Sequence, residues 1–299
     1  MEYKILGKSG IKVSEISFGC MSLSEDHTQN ASLLHSAFDQ GINFFDTADL
    51  YQFGENEASV GQAFKGMREK VVIATKVGNQ WKEDQSGWDW NPSKAYILKA
   101  VDDSLARLQT DYIDLYQLHG GTIDDPIDET IEAFERLKES GKIRAYGISS
   151  IRPNVIRSYV EKSNIDSVMM QYSLLDRRPE ESCLQLLNEN SISVITRGSL
   201  AKGLLAGKNA QEYLSRSETE VLQAGKAIAK LAENRNASAA QIALRFVLAN
   251  AAVTSSVCGI RTMEQLKDVA ATQNVQALIK GEIESLKDAI QPNVYEAHR

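Results

Sequence analysis

Short apolar segments alternate with longer amphipathic segments along almost the whole chain. Eight of the apolar segments are five to eight residues long and rich in β-branched and aromatic residues. They are nearly continuous runs rather than alternating ones, which is typical of parallel strands buried on both faces of a sheet. The predicted strands are residues 15–20, 42–46, 70–76, 112–119, 143–149, 166–172, 192–197 and 254–259.

The segments between these strands have the spacing of amphipathic helices. Apolar residues recur every three or four positions in residues 93–108 and again in residues 126–142, so each segment has one apolar face. Gly141 stands where a helix commonly ends in a left-handed residue. Ser238 is a candidate N-cap for the helix predicted after Asn236.

Eight repeats of strand and helix, without a Pro- or Gly-rich linker, predict a closed (β/α)8 barrel. This is an α/β fold of the TIM-barrel type, and we expect it to form a single domain over residues 1–299. The alternative, an open doubly wound sheet that binds a dinucleotide, requires a G-x-G-x-x-G motif after the first strand. The sequence contains no such motif.

Three segments lie outside the eightfold repeat. Residues 3–14 predict a β-hairpin around Ser9 and Gly10, which we expect to close the floor of the barrel. Residues 207–235 contain a helical run, which predicts extra helical structure in the C-terminal half. Residues 78–92 follow the third strand and carry all the tryptophans, which either wall a substrate pocket or pack on neighbouring helices. These tryptophans are Trp81, Trp88 and Trp90.

The charge balance excludes some classes of function. The 299-residue chain holds 33 Lys and Arg against 40 Asp and Glu, so 33 − 40 gives a net charge of −7. A nucleic-acid-binding protein needs a dense basic surface, and we therefore expect no nucleic-acid partner. No stretch approaches the roughly 20 apolar residues of a membrane helix, and the first residues lack the apolar core of a signal peptide. We expect a cytoplasmic protein without a membrane partner.

The cysteines do not form a pattern that indicates chemistry. Cys20, Cys183 and Cys258 are odd in number and far apart in the sequence. This spacing predicts reduced thiols rather than a disulfide framework or a metal centre.

Four polar residues stand at or near the ends of three successive predicted strands. Asp46 ends the second strand, Lys76 ends the third and His119 ends the fourth, while Tyr51 follows Asp46 by five residues. Each residue alone has a structural role more often than a catalytic one. Because the carboxyl ends of barrel strands meet in one mouth, the four together predict a site in which Asp46 and Lys76 neutralise each other.

This set of residues favours proton transfer to a carbonyl group. A phenol ionises only near pH ~10, but a neighbouring ammonium group stabilises the phenolate and makes Tyr51 a better proton donor. His119 would orient the carbonyl by donating a hydrogen bond to its oxygen. No side chain supplies the hydride that completes a carbonyl reduction, so the set implies a reduced nicotinamide cofactor.

Five motifs are spread over nearly the whole chain: FFDTADLYQFGENEASVG, VVIATK, LQTDYIDLYQLH, GKIRAYGISS and GIRTMEQLKD. In content and order they resemble the motifs of the aldo-keto reductase superfamily. The resemblance implies a barrel that binds NADPH or NADP+ in an extended form and acts on aldehydes or ketones. It also implies a catalytic tetrad of Asp46, Tyr51, Lys76 and His119, with Tyr51 as the proton donor.

The resemblance further implies cofactor-binding positions around the mouth of the barrel. Hydroxyl and amide groups after the fifth and sixth strands match the ligands of the nicotinamide carboxamide. The loop after the seventh strand matches the pyrophosphate segment, and the loop after the eighth matches the 2′-phosphate pocket. The implied positions are Gly19, Met21, Asp46, Ser149, Ser150, Gln171, Arg197, Gly198, Ser199, Leu200, Lys202, Gly203, Gly259, Arg261 and Gln265.

Two arginines bear on how the cofactor is held. Arg261 precedes a predicted helix, and a planar guanidinium at a helix N-terminus suits a doubly charged phosphate, which favours NADPH over NADH. Arg197 stands where many family members carry an aromatic residue that stacks on the nicotinamide. A guanidinium either stacks on that ring or reaches the pyrophosphate, and the sequence leaves both roles open.

Two other functions stay open on the sequence alone. A lysine at a barrel strand end also suits imine formation, so a Schiff-base lyase that uses Lys76 is one alternative, although Asp46 would keep this lysine charged. A cofactor-binding regulatory or sensor subunit with little turnover is the other. The physiological substrate and the oligomeric state do not follow from the sequence.

Overall fold

The computed structural model describes residues 1–299 and contains a closed barrel of eight parallel strands flanked by two small antiparallel hairpins. The strands are β1 (Tyr3–Ile5), β2 (Lys12–Ser14), β3 (Ile16–Gly19), β4 (Phe44–Asp46), β5 (Val72–Val77), β6 (Asn79–Trp81), β7 (Trp88–Trp90), β8 (Ile113–Leu118), β9 (Ile143–Ser149), β10 (Ser167–Gln171), β11 (Ser193–Arg197) and β12 (Val253–Gly259). The barrel runs β3-β4-β5-β8-β9-β10-β11-β12, and β12 pairs with β3 to close it. Each barrel strand lies on a predicted strand with ends that differ by at most two residues, which confirms the (β/α)8 prediction.

Ten α-helices accompany the strands, and at least one follows each barrel strand. They are α1 (His27–Asp39), α2 (Glu55–Ala63), α3 (Lys94–Leu108), α4 (Ile127–Glu139), α5 (Pro153–Lys162), α6 (Cys183–Glu189), α7 (Glu218–Arg235), α8 (Ala239–Leu248), α9 (Met263–Ala270) and α10 (Lys280–Asp288). The extra helical structure expected after the seventh barrel strand is α7, which precedes α8 and packs against α10. None of these helices combines the length and apolar character needed to cross a bilayer.

The predicted helix ends agree with the local chemistry. The hydroxyl of Ser238 accepts a hydrogen bond from the Gln241 backbone and forms a capping box with it, so α8 begins where the sequence indicates. Gly141 lies just beyond α4 with φ of +77°, a conformation that glycine adopts without steric cost. These two residues therefore mark where α4 ends and where α8 begins.

The first hairpin closes the floor of the barrel, as expected. Strands β1 and β2 pair antiparallel, and Leu6, Ile11 and Val13 are buried against the inward-facing residues of the barrel strands. Gly7 has φ of +52°, and a Cβ there would lie 2.2 Å from the backbone oxygen of Asp166. The close approach therefore requires glycine at this turn. With the floor sealed, the interior is open to a ligand only at the opposite end.

The tryptophan-containing insertion is a second hairpin rather than an irregular loop. Strands β6 and β7 pair antiparallel, with Trp81 opposite Trp88. Gly78 precedes the hairpin with φ of +121°, and a Cβ there would lie 2.6 Å from the ring of Trp90. The hairpin rises directly from β5, so it stands beside the carboxyl end of the strand that carries Lys76.

Candidate active site

The four residues predicted to form the tetrad come together at the carboxyl ends of β4, β5 and β8. Asp46 is the last residue of β4, Lys76 is the second-to-last residue of β5, and His119 directly follows β8. Tyr51 begins a short helical turn that joins β4 to α2. Parallel pairing of neighbouring strands brings these side chains into one layer at the mouth of the barrel.

Lys76 is the centre of the set. Its Nζ donates hydrogen bonds to Oδ2 of Asp46 at 2.7 Å, to the backbone oxygen of Thr47 at 2.7 Å and to the phenolic oxygen of Tyr51 at 3.4 Å. The Lys76 side chain is only 1% exposed and that of Asp46 5%. All three donor positions of the ammonium group are therefore used, which orients it firmly toward the phenol.

Burial and pairing act in opposite directions on the two charges. Burial raises the pKa of Asp46, and the ammonium of Lys76 offsets this only in part, so that pKa stays above its ordinary value. Burial lowers the pKa of Lys76, but Asp46 and Tyr51 more than offset it, and the pKa of Lys76 ends above its ordinary value. The lysine is consequently held as an ammonium ion.

His119 faces Tyr51 edge to face. The two ring centroids lie 5.9 Å apart with an interplanar angle of 82°. Burial, followed by the positive charges of Lys76 and Arg197, lowers the pKa of His119 to about 3. The imidazole is therefore neutral throughout the physiological pH range, and its Nδ1 is buried without a hydrogen-bond partner.

The turn that carries Tyr51 has an unusual backbone. Gln52 and Phe53 both have positive φ (50° and 57°), and Gly54 follows at 93°. At the φ of Gly54 a side chain would be strained, and its Cβ would also lie 2.7 Å from Cδ of Arg107. Left-handed non-glycine residues are strained and persist where the surroundings fix them.

Asn56 provides much of that support, although sequence reasoning did not single it out. Its side chain is fully buried, accepts a hydrogen bond from the Thr47 hydroxyl at 2.6 Å and donates to the backbone oxygen of Cys20 at 2.8 Å. It also donates to the side chain of Gln52 at 3.2 Å. The Tyr51 turn is thus tied to the loops that follow β3 and β4.

The predicted nicotinamide ligands lie together at the ends of β9, β10 and β11. Nη1 of Arg197 donates to Oε1 of Gln171 at 3.1 Å, and Nε2 of Gln171 donates to the hydroxyl of Tyr213 at 3.1 Å. Ser149 is half-buried, and the hydroxyl of the buried Ser150 accepts a hydrogen bond from the backbone of Arg152. Tyr213, whose contact fixes the Gln171 amide, was not anticipated from the sequence.

Glycines end the two neighbouring strands β3 and β12, but only one of them is exposed. Gly19 ends β3 and Gly259 ends β12, and these two residues pair in the barrel sheet. A Cβ at Gly259 would meet nothing closer than the Ser22 hydroxyl at 3.6 Å. Met21, next to this gap, is 64% exposed. The exposed backbone at Gly259 therefore leaves space for a ligand, whereas Gly19 packs closely against Val257.

The predicted pyrophosphate segment is a tight, largely left-handed turn. Gly198, Lys202 and Gly203 all have positive φ. Leu200 is half-buried, whereas Gly198 and Lys202 are exposed. The hydroxyl of Ser199 is buried and bonded to those of Thr196 and Ser256, so only the backbone of Ser199 is available to a phosphate.

Arg261 and Gln265 lie on the surface just beyond β12, away from the tetrad. Both side chains are exposed, and Oε1 of Gln265 accepts a hydrogen bond from the backbone nitrogen of Arg261 at 2.9 Å. Thr262 caps α9 through the backbone nitrogen of Gln265. The predicted helix after Arg261 is therefore present, and the guanidinium is free to bind an anion beside its N-terminus.

The three tryptophans have different surroundings. The ring of Trp81 packs on that of Phe53, with centroids 4.1 Å apart and an interplanar angle of 33°, whereas Trp88 is 48% exposed. Trp90 donates its indole hydrogen to the carboxylate of Asp125 at 3.0 Å and packs over Gly78, so its role is largely structural. A cavity of about 250 Å³ lies beside Phe53 and Trp81, and no tetrad residue lines it.

Comparisons with known proteins agree with this geometry. The sequence model of the Aldo/keto reductase family matches residues 15–291. The chain is 50% identical to YqkF, an uncharacterized oxidoreductase of Bacillus subtilis (strain 168), over 100% of both chains. It is 34% identical to the aldo-keto reductase YhdN of the same organism, over 89% of this chain and 87% of that one.

A solved structure shows the same fold. The holo form of aldo-keto reductase AKR11C1 from Bacillus halodurans superposes with a TM-score of 0.92 at 48% sequence identity, covering 100% of this chain and 99% of that chain. Sequence and fold are therefore shared over nearly the full length, and the chain belongs to the aldo/keto reductase family of oxidoreductases.

Proposed function

We propose that this protein reduces aldehydes or ketones to alcohols with NADPH, and that Tyr51 supplies the proton. The observation that carries the proposal is the position of Lys76 Nζ, which lies between Asp46 Oδ2 at 2.7 Å and the Tyr51 hydroxyl at 3.4 Å. A fully buried ammonium in contact with a phenol stabilises the phenolate that remains after proton transfer.

Each tetrad residue has one task at the carbonyl group. Tyr51 transfers its phenolic proton to the carbonyl oxygen, and the ammonium of Lys76 stabilises the resulting negative charge on the phenol. Asp46 keeps Lys76 charged. His119 is neutral, with Nδ1 buried, so Nε2 is the nitrogen that faces and orients the carbonyl oxygen.

The residues around the mouth fit an extended nicotinamide dinucleotide. When bound, such a cofactor supplies the hydride that no side chain provides. Ser149, Ser150 and Gln171 present neutral hydroxyl and amide groups suited to a carboxamide, while Gly259 leaves backbone uncovered on the other side of the mouth. Gly198, Ser199, Leu200, Lys202 and Gly203 would hold the pyrophosphate, and Arg261 with Gln265 the 2′-phosphate.

Arg197 belongs to the nicotinamide end in this proposal. Its guanidinium bonds Gln171, and its charge acts on both His119 and Asp46. This location supports contact with the nicotinamide ring rather than with the pyrophosphate. A cation there repels an oxidised, positively charged ring more than a reduced one, which favours release of the oxidised cofactor.

The proposal is tested by following the absorbance of the reduced nicotinamide with purified protein. Both NADPH and NADH are offered with a panel of aromatic and aliphatic aldehydes and ketones. Consumption of NADPH that depends on the carbonyl compound supports the proposal. NADPH binding without turnover across the panel contradicts it and supports a sensor subunit.

The lyase alternative has weaker support from the geometry. A lysine that forms imines must lose its proton, but the ammonium of Lys76 is held by three hydrogen bonds and its pKa lies above the ordinary value. Borohydride treatment in the presence of a carbonyl substrate would leave a covalent adduct on Lys76 only if the lyase proposal were correct.

Cofactor preference should depend on Arg261. We expect Arg261→Ala to weaken NADPH binding by roughly 10- to 100-fold, the effect of losing a charge-assisted hydrogen bond to a phosphate, and to leave NADH binding unchanged. Fluorescence titration with each cofactor measures both constants. Arg136→Ala removes an arginine from the exposed side of α4 and serves as the control. Equal losses for NADPH and NADH would place the 2′-phosphate elsewhere.

The packed rings of Phe53 and Trp81 should set substrate preference, because Phe53 follows Tyr51 by two residues and its side chain is half exposed. We expect Phe53→Ala to raise KM for aromatic aldehydes by about three- to tenfold, because an aromatic contact contributes roughly 0.5–1.5 kcal/mol, with less effect on short aliphatic aldehydes. Steady-state kinetics with matched substrate pairs measures the difference. Leu222→Ala, an exposed apolar residue on α7, is the control. Equal changes for both substrate classes would remove the pair from the pocket.

A further inference from the structure

Gln117 is a polar residue buried inside the barrel without a hydrogen-bond partner. It lies on β8 two residues before His119 and on the same inward face as Leu115, which packs with the barrel interior. Its exposed fraction is 0%, and neither Nε2 nor Oε1 of its amide is bonded. An unsatisfied buried amide is costly, so this side chain requires an explanation.

A second unsatisfied group lies close by. Oδ2 of Asp46 is bonded to Lys76, but Oδ1 of Asp46 is buried and has no partner. The Gln117 amide is near enough to lower the pKa of Asp46, although no hydrogen bond of normal geometry joins the two side chains. A small rotation of the amide toward Oδ1 would therefore satisfy a free donor and a free acceptor together.

The neighbouring strands set which groups the amide can reach. Gln117 pairs with Lys76 on one side and with Gly147 on the other, where the buried hydroxyl of Ser167 lies in the space that a side chain at Gly147 would take. The other groups that face Asp46 do not satisfy Oδ1. They are Lys76 on β5, Arg197 on β11, the buried thiol of Cys20 after β3, and Tyr51 and His119 at the mouth.

We propose that Gln117 is a positioning residue that donates to Oδ1 of Asp46 and keeps this carboxylate ionised beneath Lys76. Lys76 needs a charged partner to remain an ammonium ion next to Tyr51, and its three donors are already used by Asp46 Oδ2, Thr47 and Tyr51, so none is left for Oδ1. Gln117 therefore acts on the reaction through Asp46, without touching the substrate. This inference rests on the proposed function of the tetrad.

The pH dependence of the reaction tests this role. We expect Gln117→Met, which keeps the volume but removes the donor, to move the acid limb of the kcat/KM profile upward by about one pH unit. Gln117→Glu should move it further, because a second carboxyl group opposes ionisation of Asp46. Leu115→Met alters the same inward face without changing a polar group and should leave the acid limb in place. An acid limb that stays at the wild-type position in folded Gln117→Met overturns the proposal.

Two further measurements separate positioning from packing. In an Asp46→Asn background, Gln117→Met should not shift the pH profile. If Gln117 had only a packing role, the substitution would lower kcat/KM by the same factor in both backgrounds. The Asp46 carboxyl can also be titrated directly by carbon-13 NMR of labelled protein with and without Gln117→Met. That titration needs no turnover, so it decides the proposal even if the protein fails to reduce any carbonyl compound. An unchanged titration overturns it.

Discussion

Replacing Tyr51 by phenylalanine should remove nearly all turnover and leave cofactor affinity close to that of the wild type. The substitution deletes only the hydroxyl that accepts the 3.4 Å hydrogen bond from Lys76. A positioned general acid contributes roughly 10²- to 10⁴-fold to a rate, and we expect kcat to fall within that range. The ring and its edge-to-face contact with His119 are retained, so the loss reports proton transfer rather than collapse of the site.

Single-turnover kinetics and cofactor titration together measure this result. Tyr3→Phe is a matched control, since Tyr3 lies on the hairpin that closes the opposite end of the barrel and is 47% exposed. We expect Tyr3→Phe to retain wild-type turnover. Normal activity in Tyr51→Phe would remove the phenol from the role of proton donor and leave the tetrad without its acid.

The barrel and the tetrad could be predicted because both follow from local patterns. Strands buried on both faces must be continuously apolar, so the polar residues that end them mark the rim of the sheet. Asp46, Lys76 and His119 are such residues, and parallel pairing then makes their meeting a consequence of topology. The Ser238 cap and Gly141 could be predicted for the same reason, since each depends on its near neighbours only.

Other parts of the site depend on contacts that sequence spacing does not show. In the left-handed turn of Gln52 and Phe53, Asn56 bonds the side chain of Gln52, and Arg107, far away in the chain, packs against Gly54. The contact of Tyr213 with Gln171 likewise joins a loop to the end of β10, 42 residues away in the sequence. Such residues become neighbours only once the barrel has folded. The sequence around one of them therefore does not predict its partner.

In the tryptophan hairpin, too, the positions of the residues could be predicted but their contacts could not. The three indoles and their place after β5 were evident from the sequence, but not which of them faces a pocket. Trp90 is held by Asp125 from the loop after β8, and Trp81 is held by Phe53 from the loop after β4. Two residues of one hairpin therefore differ in role because their partners come from different loops.

Replacing Lys76 by methionine should damage both stability and turnover. The substitution leaves the buried carboxylate of Asp46 without its partner, and breaking a buried ion pair in this way costs about 3–5 kcal/mol. Turnover should fall at least as far as in Tyr51→Phe, because the phenolate loses the charge that stabilises it. Denaturant unfolding and steady-state kinetics measure the two losses separately.

The double variant Lys76→Met with Asp46→Asn tells the two effects apart. Removing both charges should restore most of the stability, since no unpaired ion remains buried, but it should not restore turnover. The stability loss of Lys76→Met alone should also shrink as the pH falls. Burial already raises the pKa of Asp46, and without Lys76 it rises further, so protonation in the folded state relieves the penalty at low pH and the penalty returns as pH increases. A double variant that recovers activity would show that neither charge is needed to prepare Tyr51, and a single variant of wild-type stability would show that the ion pair contributes nothing to the fold.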